Sequence, residues 1–451
     1  MRFDLWRNVS EIYREWNDQY FIDSKKKFKD TMFLIGEKGS GKTSIAQEYI
    51  KKRPGKTRYF SFSALDGKQG RQRFCAAFDL DQSVAGLWPE IGKAFHKKYG
   101  SKTLLILFDD AEEYSETVEF KEVVDKYINL RRIVVCWLKR DDPLANSYYG
   151  PNTIRIGVRY RTLGEYFKIL PTYSRKDILR LFTLTDGILP ILYELDESEP
   201  IESNVRRLLR YDSAFSTFLP ELLAESFRSP ESYFPIIASI ANGKHRLSEI
   251  AKDTGYPNNK CLTYLNALKN ARIVIEDRIQ NNNRASYELK YTYYTAWGRY
   301  VYGNKAMQVS DPEQLVSMVI EDIDKGLTVQ AFQRACYRYL QSSTKDILRV
   351  QRFQRDPRVL RDVEVIKGEG LKLTYCEIAE GQSLFTIIPN NLERRYTKED
   401  LANIRNTVLQ LPGGYENQIL LFSMHRFNDW IVHQAHLDDE LHLVTIERLK
   451  Y

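Results

Sequence analysis

The stretch that most constrains the fold of this chain is GEKGSGKT, residues 36 to 43, which follows the apolar run MFLI. It satisfies the pattern G-x-x-x-x-G-K-[ST], in which a strand leads through a glycine-rich loop into a helix. Glycines let backbone N-H groups wrap phosphates, and the helix expected from Ser44 to Lys52 directs its positive end at them. We therefore expect an ATP site formed by Gly36, Glu37, Lys38, Gly39, Ser40, Gly41, Lys42, Thr43 and Ser44.

Within that site, Lys42 is expected to neutralise the β- and γ-phosphates and the Thr43 hydroxyl to ligate Mg2+. Two weaker interpretations are a glycine-rich turn that binds nothing and a degenerate site that binds nucleotide without turnover. The strand before the loop and the helix after it favour binding.

A second motif lies about sixty residues further on, where the apolar run LLILF ends in Asp109 and Asp110. This pattern places Asp109 as a second holder of Mg2+, directly or through water. In hydrolytic relatives the next residue is usually glutamate, so Asp110, one methylene shorter, is the candidate base for a slow turnover. Glu112 and Glu113 are alternatives to Asp110, or simply a solvated acidic loop.

Apolar runs alternate with amphipathic segments between residues 31 and 195, which predicts a parallel sheet flanked by helices. The five strand-like runs are MFLIG, RYFSFSA, LLILFDD, IVVCWLK and TIRIGV. The fourth run ends at Lys139-Arg140-Asp141, where related ATPases place a polar sensor of the γ-phosphate. Either basic residue is a candidate for that role, and a plain loop is the alternative. Helical segments, a strand pair joined by an asparagine-rich turn at 280 to 283, and a separate α/β region follow.

With these motifs in place, the order of pieces resembles the archaeal-type ATPase family of the AAA+/STAND group of P-loop NTPases. That family carries a T-G-G-x-P-x-x-L run where this chain has TDGILPIL, residues 185 to 192, with Asp186 in place of glycine. The resemblance implies a winged helix over 231 to 290, with 273 to 275 and 287 to 289 paired as its wing. Basic residues available for duplex DNA are Lys260, Lys269, Arg272, Arg278 and Arg284; packing on the nucleotide domain is the alternative role.

The resemblance further implies an aromatic connector over 287 to 301 and a C-terminal domain of PD-(D/E)-x-K nuclease type. Such a nuclease needs a helix glutamate, acidic residues at a strand end and an E-x-K on the adjoining strand. The chain retains carboxylates at Asp362, Glu364 and Glu377 but has Gln333 and Ala379 at the glutamate and lysine positions. We expect a retained fold without cleavage.

Composition limits the partners and the cellular compartment that are expected for this chain. The formal charge of +7 permits a nucleic-acid partner without requiring one, and the five widely spaced cysteines indicate buried free thiols in a reducing compartment. No apolar run approaches the length of a membrane helix and the N-terminus lacks a signal-peptide pattern, so a cytoplasmic protein is expected.

The fold class expected is α/β: a P-loop NTPase parallel sheet, a helical segment, a winged helix and an α/β restriction-endonuclease-like domain. The expected boundaries are 1–195 for the ATPase domain, 196–230 for a helical lid, 231–290 for the winged helix, 291–330 for the connector and 331–451 for the nuclease-like domain.

The expected function is an ATP-binding, slowly hydrolysing multidomain switch with ATP and Mg2+ as cofactors. The alternatives are an ATP-gated metal-dependent nuclease and a nucleotide-binding module without turnover. Duplex DNA and a protein partner or second copy of the chain remain open as partners, and no membrane is expected.

Overall fold

The structure is a computed structural model that describes residues 31–52, 55–63, 65–111, 114–129, 133–139, 153–278, 285–341, 360–362, 371–379, 382–409 and 417–450. The chain divides into two compact units, residues 1–160 and 161–451. Residues 1 to 30 lie outside the described residues. In the described part of the chain, no helix is both long and apolar enough to cross a bilayer.

The first unit is built on a five-stranded parallel sheet, as its alternating pattern predicts. Its strands are β1 (Thr31–Gly36), β2 (Thr57–Ser61), β3 (Leu104–Asp109), β4 (Ile133–Lys139) and β5 (Thr153–Val158). The order across the sheet is β2-β3-β4-β1-β5, and every neighbouring pair is parallel. This arrangement is consistent with a P-loop NTPase fold, and it sets β4 between the loop strand β1 and the acidic strand β3.

Helices cover both faces of this sheet: α1 (Lys42–Lys52), α2 (Gly67–Ala77), α3 (Trp88–Tyr99) and α4 (Thr117–Val123), the last continued by a wider turn to Ile128. Helix α1 begins two residues earlier than expected. Because side chains alternate along a strand, Ile106 and Phe108 of β3 enter an aromatic core with α2 and α3. Leu105 and Leu107 instead pack with Ile45 of α1. Strand β3 is fully buried, which fixes the position of the carboxylates at its end.

The second unit opens with short helices, α5 (Leu163–Ile169), α6 (Arg175–Thr185), α7 (Leu189–Leu192), α8 (Ile201–Leu208) and α9 (Ala214–Ser226). Asp186 ends α6 in the left-handed region with φ of 47°. Gly187 follows with φ of 74°, and a Cβ there would lie 1.9 Å from the Arg161 carbonyl oxygen. The run TDG is therefore a tight, sterically specified break between α6 and α7.

Three helices and a strand pair come next: α10 (Phe234–Ala241), α11 (Leu247–Thr254), α12 (Asn258–Asn270), β6 (Val274–Arg278) and β7 (Ala285–Leu289). The strands are antiparallel, with Val274 opposite Leu289, so the pairing expected from the sequence is present. Gly255, with φ of 71°, ends α11. The asparagine-rich turn lies outside the described residues.

The aromatic connector is a buried helical segment. It comprises α13 (Thr292–Ala296) and a wider turn (Trp297–Tyr302), followed by α14 (Lys305–Ser310), α15 (Pro312–Asp322), a second wide turn (Ile323–Leu327) and α16 (Thr328–Gln341). Tyr293, Tyr294 and Trp297 are each at most 1% exposed. Burial of this kind favours core packing as the role of these rings.

The last part of the chain forms a second sheet with both parallel and antiparallel strands, and its strands are neighbours in chain order. Its elements are β8 (Leu360–Asp362), β9 (Leu371–Ala379), β10 (Gln382–Pro389), α17 (Lys398–Leu409), β11 (Asn417–Ser423), α18 (Asp429–Leu437) and β12 (Leu441–Thr445). Strands β8 to β10 form an antiparallel meander, whereas β10, β11 and β12 are parallel. Strand β12 ends at Thr445, and residues 446 to 448 form a 3-10 turn.

The described cysteines agree with the expected free thiols. Cys75, Cys136, Cys261 and Cys336 are buried and unbridged, and burial raises the pKa of Cys136 to about 12. The side chain of Cys376 lies outside the described residues.

Candidate phosphate and metal site

The glycine-rich loop connects β1 to α1 through a tight turn. The Ser40 N-H donates to the Glu37 carbonyl at 3.2 Å, and Gly39 and Gly41 adopt φ values of 77° and 101° that favour glycine. Lys42, Thr43 and Ser44 form the first turn of α1, whose N-H groups lack partners within the helix. The structure thus places the predicted loop residues, 36 to 44, around one helix N-terminus.

Gly36 admits no side chain. A Cβ at this position would lie 2.1 Å from the Val158 carbonyl oxygen and 2.7 Å from the Ser40 Oγ. On the other side of the loop, the Tyr160 hydroxyl donates to the Lys38 carbonyl at 2.8 Å. The loop is therefore held against the end of β5 and the residues that follow it.

Two hydrogen-bond donors of the loop are of the kind that bind a phosphate group. Lys42 Nζ donates to the carbonyls of Gly36 at 2.8 Å and Glu37 at 3.0 Å, which holds the ammonium over the loop. The Ser40 hydroxyl is buried, and its Oγ has no hydrogen-bond partner among the described residues. A buried hydroxyl without a partner is costly, and a phosphate oxygen is an acceptor that would satisfy it.

Asp109 lies at the end of β3 beside the loop and is 5% exposed. Its Oδ2 accepts hydrogen bonds from the Thr43 hydroxyl at 2.7 Å and the Tyr59 hydroxyl at 2.9 Å, and its Oδ1 accepts the Asp110 N-H at 3.1 Å. Burial, and then the charge of Asp110, raise the pKa of Asp109, although the bonds from Thr43 and Tyr59 oppose the rise. The Thr43 hydroxyl and the Asp109 carboxylate therefore lie together, and both are oxygen ligands of the kind that Mg2+ prefers.

Asp110 follows in the left-handed region, with φ of 54°. This conformation turns its carboxylate toward β2, where the Ser61 hydroxyl donates to Oδ2 at 2.8 Å. The candidate base is therefore next to the candidate metal ligand but engaged by a neighbouring strand.

Sequence reasoning missed three residues of this site, namely Tyr59, Ser61 and Tyr160. Tyr59 and Ser61 alternate along β2, and Ser61 lies directly opposite Asp109. The alternation of polar side chains in RYFSFSA was a usable signal, because residues two apart share a face of the sheet. What the sequence did not reveal is that β2 is the neighbour of β3.

Several residues considered with the site are not placed. Glu112, Glu113, Arg140 and Asp141 lie outside the described residues, and only the backbone of Lys139, at the end of β4, is described. Asp110 is therefore the candidate base whose position and contacts the structure describes.

Two of the basic residues considered for DNA are engaged within their own segment. Lys269 forms an ion pair with Glu276, and Lys260 lies 4.3 Å from the centroid of the Tyr256 ring. The ion pair lowers the charge that Lys269 offers to phosphates. The side chain of Arg278 and all of Arg284 lie outside the described residues.

The C-terminal sheet does not pair the backbones of Asp362 and Glu377. Asp362 on β8 pairs with Thr374 on β9, while Glu377 pairs with Ser383 on β10, so Asp362 and Glu377 are not cross-strand neighbours. Gln333 donates to the Asn390 side chain at 2.7 Å, and Glu364 is outside the described residues. Among the residues that are described, no cluster of three His, Cys, Asp or Glu side chains is suited to a metal.

Comparisons with known proteins leave the chain without an assigned family. No protein-family model and no curated protein sequence matches it. Solved structures that resemble it include Drosophila ORC bound to DNA (13% identity, 61% of this chain, 90% of that chain, TM-score 0.27) and Drosophila ORC bound to AT-rich DNA and Cdc6 (11%, 69%, 92%, 0.28). A third is the Thermotoga maritima RuvB Holliday junction branch migration motor (13%, 57%, 84%, 0.25). TM-scores this low do not establish a common fold.

Proposed function

We propose that this chain binds ATP with Mg2+ at the loop of residues 36 to 44. The observation that carries the proposal is the 2.7 Å hydrogen bond from the Thr43 hydroxyl to the Asp109 carboxylate. It joins residues 66 positions apart and brings the hydroxyl of the glycine-rich loop to the end of the acidic strand. Thr43 and Asp109 would hold the cation, and Lys42 would neutralise phosphate charge.

We further propose that the bound nucleotide turns over slowly. Asp110 is the candidate for orienting the attacking water, but it is one methylene shorter than glutamate and is hydrogen-bonded to Ser61. A general base contributes roughly 10²- to 10⁴-fold to a rate. Because Asp110 must first leave Ser61, binding without turnover is the second candidate function.

The segment from α10 to β7 supports a proposed winged helix. Three helices precede an antiparallel strand pair, and α12 would be the helix that reads a major groove. The ion pair of Lys269 and the position of Lys260 weigh toward packing rather than DNA contact, so duplex DNA is a secondary proposal.

For the C-terminal domain we propose a nuclease-like fold without cleavage. The antiparallel meander followed by α17 and a parallel β11 supports the fold. The absence of lysine at Ala379 and of a carboxylate at Gln333 removes the groups that would activate water. The domain would then serve as a docking surface in an ATP-controlled switch.

ATP turnover measured with and without duplex DNA tests these proposals together. We expect slow phosphate release by the wild type and a fall of roughly 100-fold in Asp110→Asn, with ATP affinity unchanged in the variant. Acceleration by duplex DNA would support the DNA-associated switch. Equal turnover by the two proteins would contradict the role of Asp110, and binding with no turnover by either would favour the second candidate function.

A further inference from the structure

Among the described residues, Tyr59 is the tyrosine whose hydroxyl contacts the carboxylate of Asp109, the candidate metal ligand. It lies on β2, two residues before Ser61, so both side chains share a face of the sheet. Its hydroxyl donates to Asp109 Oδ2 at 2.9 Å, while Ser61 donates to the next carboxylate, Asp110, at 2.8 Å. Strand β2 thus presents one hydroxyl to each acid at the end of β3.

The hydrogen bonds of Asp109 divide unequally between its two oxygens. A carboxylate offers about two acceptor positions on each oxygen. Thr43 and Tyr59 fill both positions of Oδ2, whereas Oδ1 accepts only the Asp110 N-H among the described residues. The Thr43 hydroxyl gives its proton to this carboxylate and therefore keeps its own lone pairs available.

We propose that Tyr59 is a positioning residue for the divalent cation, and that it fixes the Asp109 carboxylate so that Thr43 presents its oxygen to the metal. The inference rests on the proposed nucleotide function. Without the Tyr59 hydroxyl, a carboxylate that is only 5% exposed loses one of its donors. The carboxylate is then free to rotate away from its present position, and such a rotation weakens its hold on Thr43.

This role differs from simple packing. The Tyr59 ring is partly buried against the core on the α1 side of the sheet, and phenylalanine would fill the same space without the hydroxyl. A packing role therefore predicts no effect of Tyr59→Phe on the cation, and a positioning role predicts a specific one. Under either role, Tyr59→Phe should leave the affinity for nucleotide in the absence of metal unchanged.

The test compares Tyr59→Phe with Tyr99→Phe. Tyr99 is a matched control because it is a buried tyrosine in the same unit whose hydroxyl donates to the Phe78 carbonyl at 2.9 Å. A fluorescent ATP analogue is titrated in EDTA and then across free Mg2+ concentrations. We expect Tyr59→Phe to raise the half-saturating Mg2+ concentration roughly tenfold, with affinity in EDTA unchanged and Tyr99→Phe like the wild type.

A second arm keeps the proposal falsifiable if Tyr59→Phe also lowers stability. In an Asp109→Asn background the same substitution should produce no further Mg2+ shift, because Tyr59 acts through that carboxylate. An undiminished shift in this background, or an unchanged Mg2+ midpoint in Tyr59→Phe alone, would overturn the inference. A wild type that binds no nucleotide would instead overturn the proposed function itself.

Discussion

Gly36 illustrates how one residue limits the phosphate loop. Alanine at this position would place its Cβ 2.1 Å from the Val158 carbonyl oxygen, so the loop or β5 must move. We predict that Gly36→Ala lowers ATP-analogue affinity at least about tenfold, because the loop donors lose their alignment. Gly157→Ala on β5 is the matched control, since no described residue has an atom within 4 Å of the Cβ that alanine would add. Equal affinities of the two variants would refute this account of the loop.

Sequence reasoning predicted Gly36, Lys42 and Thr43 from the local spacing of a glycine-rich turn followed by a helix. It predicted Asp109 from a second local pattern, an apolar run that ends in a carboxylate. Tyr59 and Ser61 were missed because their contacts depend on which strands are neighbours in the sheet. Strand order is a property of the whole sheet and is not written in any one segment.

The junction between α6 and α7 is held by a buried carboxylate. Asp186, 2% exposed, accepts the Thr292 hydroxyl and the Tyr293 N-H, both at 2.6 Å, and lies 3.3 Å from Arg338. The sequence showed Asp186 only as a departure from glycine, since its partners are more than a hundred residues away. The structure gives that departure a physical role in joining α6, α13 and α16.

We predict that Asp186→Asn destabilises the protein by about 2–3 kcal/mol, because it removes a charge-assisted set of buried contacts. Asp212→Asn is the control, as its ion pair with Arg210 is exposed and should contribute little to stability. Urea unfolding of both variants measures the difference. Indistinguishable midpoints would show that the Asp186 contacts add nothing to stability.

A second inter-helical contact gives a pH-dependent prediction. Burial raises the pKa of Asp324, but hydrogen bonds from Arg180 and Lys176 outweigh it and leave the pKa below the ordinary 3.8. A lowered carboxyl pKa adds stability above the unfolded value, and that stability is lost as the pH falls through the folded value.

The stability difference between the wild type and Asp324→Asn should therefore be full near neutral pH and shrink as the pH falls below 3.8. Thermal unfolding midpoints across an acid series measure it. A difference that stays constant across that series would contradict the ion-pair assignment.

Across the chain, the parallel sheet of residues 31 to 160 followed directly from the alternation of apolar runs. The mixed C-terminal sheet was less predictable, since a meander and a parallel crossover share the same local pattern. The two acidic residues of the nuclease-like pattern show this limit most clearly, because the strand register does not set Asp362 opposite Glu377.

The central claim is that the loop of residues 36 to 44 binds ATP with Mg2+. Titration of a fluorescent ATP analogue into the wild type, Lys42→Ala and Lys51→Ala tests it most directly, because Lys51 is an exposed lysine on the same helix. We predict Mg2+-dependent binding by the wild type and Lys51→Ala, and affinity weaker by roughly 10- to 100-fold in Lys42→Ala. Equal affinity in all three proteins, or no binding by the wild type, would contradict the claim.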